Sequence, residues 1–236
     1  MSASANPDIV TDGLHGVIDA NAYERSNPSS GSAYYLDFLG GASSQRCYAG
    51  NAVPRPSSLP RSYEFGSSRS TYLQIPDTSG TFGNSFDFDT DDGYSVDVWV
   101  KRTGYGTWTS GTTNYDGIWN YYWVHNLHFS GAHTSVNQIR GTGLDGYNIS
   151  MDTWYNVVTT HDNSASSNNH NVYIDNSVAQ TSQIGNASST RRFYVGNWDA
   201  SWAMVGEVAV IRVYNRALTA KEIAQNYNAT KSRFGL

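Results

Sequence analysis

The feature that most constrains this chain is a recurrence of short β-prone runs from residue 61 onward, set apart by Gly, Asn, Asp and Ser. The runs cover 62–65, 71–75, 93–102, 117–124, 126–130, 136–140, 153–162, 171–175, 192–195 and 206–215. Short strands punctuated in this way indicate a β-sandwich or barrel. In the third run Tyr94, Val96, Val98 and Val100 share one face, and Ser95, Asp97, Trp99 and Lys101 share the other. A tryptophan on the polar side predicts that this face is covered too, as happens when sheets stack. The 236 residues fit one all-β unit of this kind.

Outside the repeating region, 13–19 reads as an entry strand and 1–12 as an extended polar arm with no core of its own to join. Residues 26–60 are rich in Ser, Gly and Pro and read as a long loop region inside one domain of 13–236, with a short strand near Tyr34–Phe38. Pro54, Pro56 and Pro60 exclude a central strand there, because proline cannot donate to a ladder. Thr219-Ala-Lys-Glu222 spells a capping box and predicts one helix over 219–229, with Ile223 and Tyr227 on the face it packs against a sheet edge. The expected fold class is therefore an all-β, two-sheet antiparallel jelly-roll sandwich with one short C-terminal α-helix.

Composition narrows the function. The formal net charge is −5 and only three lysines are present, so the clustered cations that displace counterions from nucleic acid are missing. No apolar run is long enough to cross a bilayer, and the first residues lack the charged and apolar segments of a signal peptide. A single cysteine, Cys47, cannot form an intrachain bridge and reads as a small hydrophobe. The six histidines read as ordinary packing or surface residues, with His125 and His128 on opposite strand faces.

The candidate sites are aromatic and acidic. Trp119, Tyr121 and Trp123 share one strand face, and Trp198-Asp199-Ala-Ser-Trp202 reads as a loop holding two indoles around a carboxylate. Flat rings stack on the apolar faces of sugars while Asn, Asp and His fix the hydroxyls. Aromatics also fill sandwich cores, so the strand set is either core or ligand surface. Trp198, Asp199 and Trp202, then Trp119 and Trp123, are the expected ligand-binding residues. Asp87, Asp89 and Asp91 are weak candidates for calcium, since hard oxygen ligands alternate there, but a glycine at the seventh position and Val98 at the twelfth break the helix–loop–helix pattern. No cofactor is expected to be required.

Four stretches together resemble the laminin-G-like, concanavalin A-like lectin/glucanase superfamily. They are Tyr94-Ser-Val-Asp-Val-Trp-Val-Lys101, Trp154-Tyr-Asn-Val-Val-Thr-Thr-His-Asp162, Asn171-Val-Tyr-Ile-Asp-Asn176 and Gly206-Glu-Val-Ala-Val-Ile-Arg-Val-Tyr-Asn-Arg-Ala-Leu218. The tail from Tyr214 to Leu236 is similar to the ends of such domains in virion proteins of tailed bacteriophages. Glucan-cleaving members of the superfamily place two Glu and an Asp at alternating positions of one strand. This chain has only Glu24, Glu64, Glu207 and Glu222, none followed two residues later by Asp. The resemblance therefore implies a non-catalytic virion structural protein: a capsid decoration, head-fibre or tail-associated adhesion domain. Its expected partners are other virion proteins, cell-surface polysaccharide and further copies of itself. It would be made in a host cytoplasm and released in the virion. A free extracellular bacterial lectin is the competing reading, and a glycan-cleaving enzyme the third.

Overall fold

The computed structural model describes residues 8–20, 34–37, 46–49, 53–55, 60–66, 71–75, 93–106, 115–121, 125–130, 137–185, 193–198 and 202–236. The strands are β1 (Leu14–Asp19), β2 (Tyr34–Asp37), β3 (Arg46–Ala49), β4 (Val53–Arg55), β5 (Ser62–Phe65), β6 (Leu73–Ile75), β7 (Gly93–Arg102), β8 (Tyr115–Tyr121) and β9 (His125–Ser130). They continue with β10 (Gln138–Gly141), β11 (Leu144–Asn148), β12 (Trp154–Asp162), β13 (His170–Ile174), β14 (Ser177–Ser182), β15 (Phe193–Val195), β16 (Asn197–Trp198), β17 (Trp202–Ala203) and β18 (Gly206–Tyr214). Helix α1 (Ala220–Thr230) and a 3-10 turn over Lys231–Phe234 complete the chain.

Two sheets form the expected sandwich. Sheet A runs β14-β13-β12-β7-β18-β5-β4, with β1 also paired to β18, and sheet B runs β11-β10-β9-β8-β15-β6-β3-β2, with β16 and β17 beside β8. The alternation read in β7 holds: Tyr94, Val96, Val98 and Val100 belong to the core between the sheets, with Phe129, Ile139, Val157, Val172 and Phe193. Residues 26–60 are not all loop, since β3 and β4 lie there as well as the foreseen β2. β4 carries Pro54 and occupies the edge of sheet A, where a missing N–H is tolerated.

The outer face of sheet A is covered, as Trp99 required. Its indole is fully buried and stacks on Phe234 with centroids 4.1 Å apart and on Tyr227 at 5.6 Å. The capping box forms: Thr219 Oγ1 accepts from the Glu222 amide, and Glu222 accepts from the Thr219 amide at 2.8 Å. The expectation that α1 packs on a sheet edge is corrected. It lies across the central strands β7 and β18, because the polar outer residues there need partners. Asp97 accepts from Arg212 Nη1 at 2.8 Å, from Asn156 Nδ2 at 2.7 Å and from Asn226 Nδ2 at 3.3 Å. A buried ion pair requires such added hydrogen bonds to offset its desolvation.

The arm is also corrected in part. Residues 1–7 lie outside the described residues, but Val10 is only 5% exposed and joins a small core with Val158, Tyr214, Leu218 and Ile223. Its amide donates to Asn226 Oδ1 at 2.9 Å, and its carbonyl accepts from the Tyr214 hydroxyl at 3.1 Å. An apolar side chain with two satisfied backbone groups docks this segment onto α1.

Candidate functional site

The foreseen aromatic site divides. Trp119 takes the core alternative, 1% exposed and stacked on Phe193 with centroids 5.7 Å apart, so it is corrected from the ligand surface to the interior. The reason is a β-bulge. The register of β8 against β9 shifts between Gly117 and Trp119, so Ile118 and Trp119 both enter the core. Trp123 lies outside the described residues, as do Asp199, Asp87, Asp89 and Asp91.

Trp198 and Trp202 occur not in an open loop but on a tight hairpin, β16–β17, where their backbones sit directly opposite one another. One backbone bond anchors this hairpin to β8, the Gly196 amide donating to the Ile118 carbonyl, and another closes its base, the Met204 amide donating to the Gly196 carbonyl, each at 2.9 Å. Gly196 has φ +78°, and a Cβ there would lie 1.9 Å from the Phe65 ring, so only glycine fits this close approach. Ala203 then pairs in parallel with Gly117 of β8. These pairings place two tryptophan positions beside β8 of sheet B.

Next to the hairpin, the outer face of sheet B is polar. Tyr194, Asn120 and Asn126 form one row across β15, β8 and β9, and Gly117, His128 and Arg140 form the next across β8, β9 and β10. His128 Nδ1 meets Asn126 Oδ1 at 3.1 Å, and Tyr72 packs edge-on against Tyr194. Burial, with the Arg140 charge beside it, holds His128 down to about 3, so the ring is neutral near pH 7. Asn120, Asn126, His128 and Tyr194 are buried, whereas Arg140 is exposed at the rim. Further along, the exposed edge carries Tyr147, 38% exposed, beside a Gln138–Asn148 amide pair at 2.9 Å and an Asp145–Gln180 pair at 2.8 Å. Of these groups, the exposed Tyr147 phenol and Asn148 amide are open to a hydroxyl-rich ligand, whereas the row of Tyr194, Asn120, Asn126 and His128 is buried. The sequence reading missed these residues. The signal available was their alternation with Leu127, Phe129 and Ile139 of the core.

Among the described residues, Asp97, Asp116, Glu207 and Glu222 are engaged in ion pairs. Asp116 pairs with Arg102 at 2.8 Å inside the sandwich, where Arg102 also donates to Asn137 Oδ1 at 2.6 Å. Burial lowers Arg102, although Asp116 acts to raise it. The Glu222 carboxyl is held down to about 2, chiefly by hydrogen bonds from Arg216. Glu64 and Glu207 have no suggestive spacing in sequence, but they lie opposite one another on β5 and β18. Glu207 is an ion-pair partner of Lys101 at 2.9 Å and accepts from Ser62 Oγ. Among the described residues, no group of three or more His, Cys, Asp or Glu is arranged to hold a metal ion, and no helix is long and apolar enough to cross a membrane.

Two antiparallel sheets enclosing one apolar layer, with a helix on one outer face and a polar aromatic margin on the other sheet, define a lectin-type β-sandwich. Residues 66–224 match the family model for the concanavalin A-like lectin/glucanases superfamily, and the chain belongs to that family. A comparison with curated proteins gave no match. Among solved structures, Trypanosoma rangeli sialidase in complex with 2,3-difluorosialic acid is similar at 14% identity and TM-score 0.65, over 95% of this chain and 34% of that one. Domain 4 of AbnA, an extracellular arabinanase from Geobacillus stearothermophilus in complex with arabinotriose, is similar at 16% identity and TM-score 0.52, over 92% and 98%. A structure of botulinum neurotoxin type C, whose cell entry depends on two ganglioside molecules, is similar at 10% identity and TM-score 0.53, over 79% and 47%. The chain spans about a third of the length of the sialidase.

Proposed function

We propose that this protein is a non-catalytic glycan-binding domain that works as an attached part of a larger assembly. The observation that carries this reading is the likeness to a whole arabinanase domain held with arabinotriose, over 92% of this chain and 98% of that one. Two further points support it. The Asp97, Asp116, Glu207 and Glu222 carboxylates are committed to ion pairs, which leaves them poorly suited to serve as an acid and a nucleophile. The polar aromatic margin around the β16–β17 hairpin has the chemistry of a sugar site, with Trp198, Asp199 and Trp202 as its contacts. The assembly we favour is a phage virion, with cell-surface polysaccharide as the ligand, because the C-terminal stretch resembles domains of virion proteins. Calcium at Asp87, Asp89 and Asp91 is an accessory to this reading and is tested by chelation.

The test is binding to an array of bacterial polysaccharides and oligosaccharides, with and without chelator, for the wild type and for Trp198→Ala and Trp202→Ala. Binding that falls at least tenfold in folded variants supports the site. Variants that bind as the wild type does would move it, and variants that unfold would show the rings to be core. A reducing-sugar assay should show no turnover. Turnover abolished by Glu207→Gln or Asp116→Asn would replace the binding reading with an enzymatic one. Electron microscopy of particles carrying the protein distinguishes a virion component from a free lectin.

A further inference from the structure

A row of rings crosses one end of sheet A. His170 on β13 is the register partner of His161 on β12, which is the partner of Tyr94 on β7. His125 reaches them from β9 of the facing sheet, with its Nδ1 2.8 Å from the Tyr94 hydroxyl. Tyr94 lies 5.2 Å from His125, 5.4 Å from His161 and 6.4 Å from His170, centroid to centroid. The histidines are 5.4, 5.8 and 6.5 Å from one another. All four side chains are at most 1% exposed, and Nε2 of His125 has no hydrogen-bond partner among the described residues.

We infer that Tyr94, His125, His161 and His170 form an acid-sensitive clasp that holds this end of the two sheets together at neutral pH and loosens it in acid. Among the described residues, no carboxylate acts to raise His125 or His170, although a backbone hydrogen bond at Thr142 favours the proton on His170. β8 contributes Tyr121, the cross-strand neighbour of His125, and β14 contributes Ser182 near the Gly143 turn that backs His170. A Cβ at Gly143 would lie 2.5 Å from His170 Cδ2, so the ring has no room to withdraw on that side. Asp162, next to His161, accepts from the Ser164 amide at 2.9 Å and the Ser164 hydroxyl at 2.6 Å, and it interacts electrostatically with His161 alone of the three histidines. The opposite end of the layer is held differently, by the Arg102–Asp116 ion pair.

Neutral imidazoles at His125 and His170 fit this space, but a proton on either puts a buried charge beside two more histidine rings. Burial, then repulsion from the neighbouring histidines, holds His125 down to about 3, and the same causes hold His170 to about 4. In the unfolded chain a histidine titrates near ~6.5. Between that value and the folded ones, the open or unfolded chain binds protons that the closed fold refuses. The clasp is therefore intact above about pH 6.5 and weakens as pH falls, by roughly tenfold in the opening constant per pH unit for each such histidine.

The test is hydrogen exchange on the intact protein between about pH 7 and about pH 5, with intrinsic rates divided out. The expected result is protection lost by tenfold or more at 125–130 and 170–174, and retained at the Arg102 end of β7. The double variant His125→Gln, His170→Gln should show a flattened pH dependence, whereas His128→Gln outside the cluster should keep it. Protection independent of pH, or a dependence unchanged in the folded double variant, would overturn the inference. If the double variant does not fold, imidazole nitrogen shifts of the wild type decide: rings neutral at about pH 5 in the closed fold support the clasp, and rings titrating near ~6.5 in an intact fold refute it.

Discussion

At the residue scale, two ion pairs of nearly equal length differ in what their loss should cost. Asp97 and Arg212 meet at 2.8 Å with almost no exposure, whereas Asp12 and Arg216 meet at 3.0 Å with the Asp12 side chain 86% exposed. Asp97→Ala leaves a guanidinium buried without its carboxylate, and urea denaturation should show a loss of about 3–5 kcal/mol. Asp12→Ala should cost less than about 1 kcal/mol, because water screens the pair. Equal losses would mean that the network beneath α1 reorganises around the gap. Individual residues were legible in sequence where alternation is regular, as in β7. Legibility failed at Trp119, because strict alternation cannot foresee a bulge that sends Ile118 and Trp119 to the same side. The histidine cluster was invisible for another reason. Its members lie on three strands of one sheet and one of the other, and only register brings them together.

At the scale of elements, the helix was the most legible piece, because its start is a local chemical pattern that tertiary contacts then reinforce. Glu222 serves both the capping box and the paired bonds from Arg216, at 2.6 and 3.0 Å. Thr219→Ala removes the acceptor for the Glu222 amide and should cost about 1 kcal/mol in thermal or urea denaturation. Glu222→Ala should cost more, since it removes the cap and the Arg216 contact together. The short strands β3, β4, β11 and β14 were not read from sequence. Each owes its conformation to a neighbouring strand rather than to a strong apolar period of its own, as the mostly exposed β11 illustrates. The hairpin under Trp198 and Trp202 was read as a loop because it is only two residues deep on each side.

At the scale of the whole molecule, the two ends of the chain are tied to the same outer face of sheet A. Val10 bonds to Asn226, and Arg233 forms two bonds to Asp19, at 2.8 and 2.9 Å. A truncation lacking residues 1–7 sets the reference melting temperature. Removing 1–12 should lower it by about 5 °C or more, taking about 1 kcal/mol for each of the two lost Val10 backbone bonds and about 1.5 kcal/mol for the valine side chain. Differential scanning calorimetry on the two truncations checks this, and equal melting temperatures would show the docked segment to be dispensable.

Pro54, at the rim of sheet A, has a consequence for crowded copies. A sheet rim lined with free N–H groups invites a neighbour's strand to zip onto it, the first step of runaway fibre growth. β4 is three residues long with an imino acid at its centre, so the middle of the strand offers a would-be partner no N–H donor. Molecules packed side by side at high local concentration would then meet through side chains and stay discrete, instead of fusing their backbones along that rim.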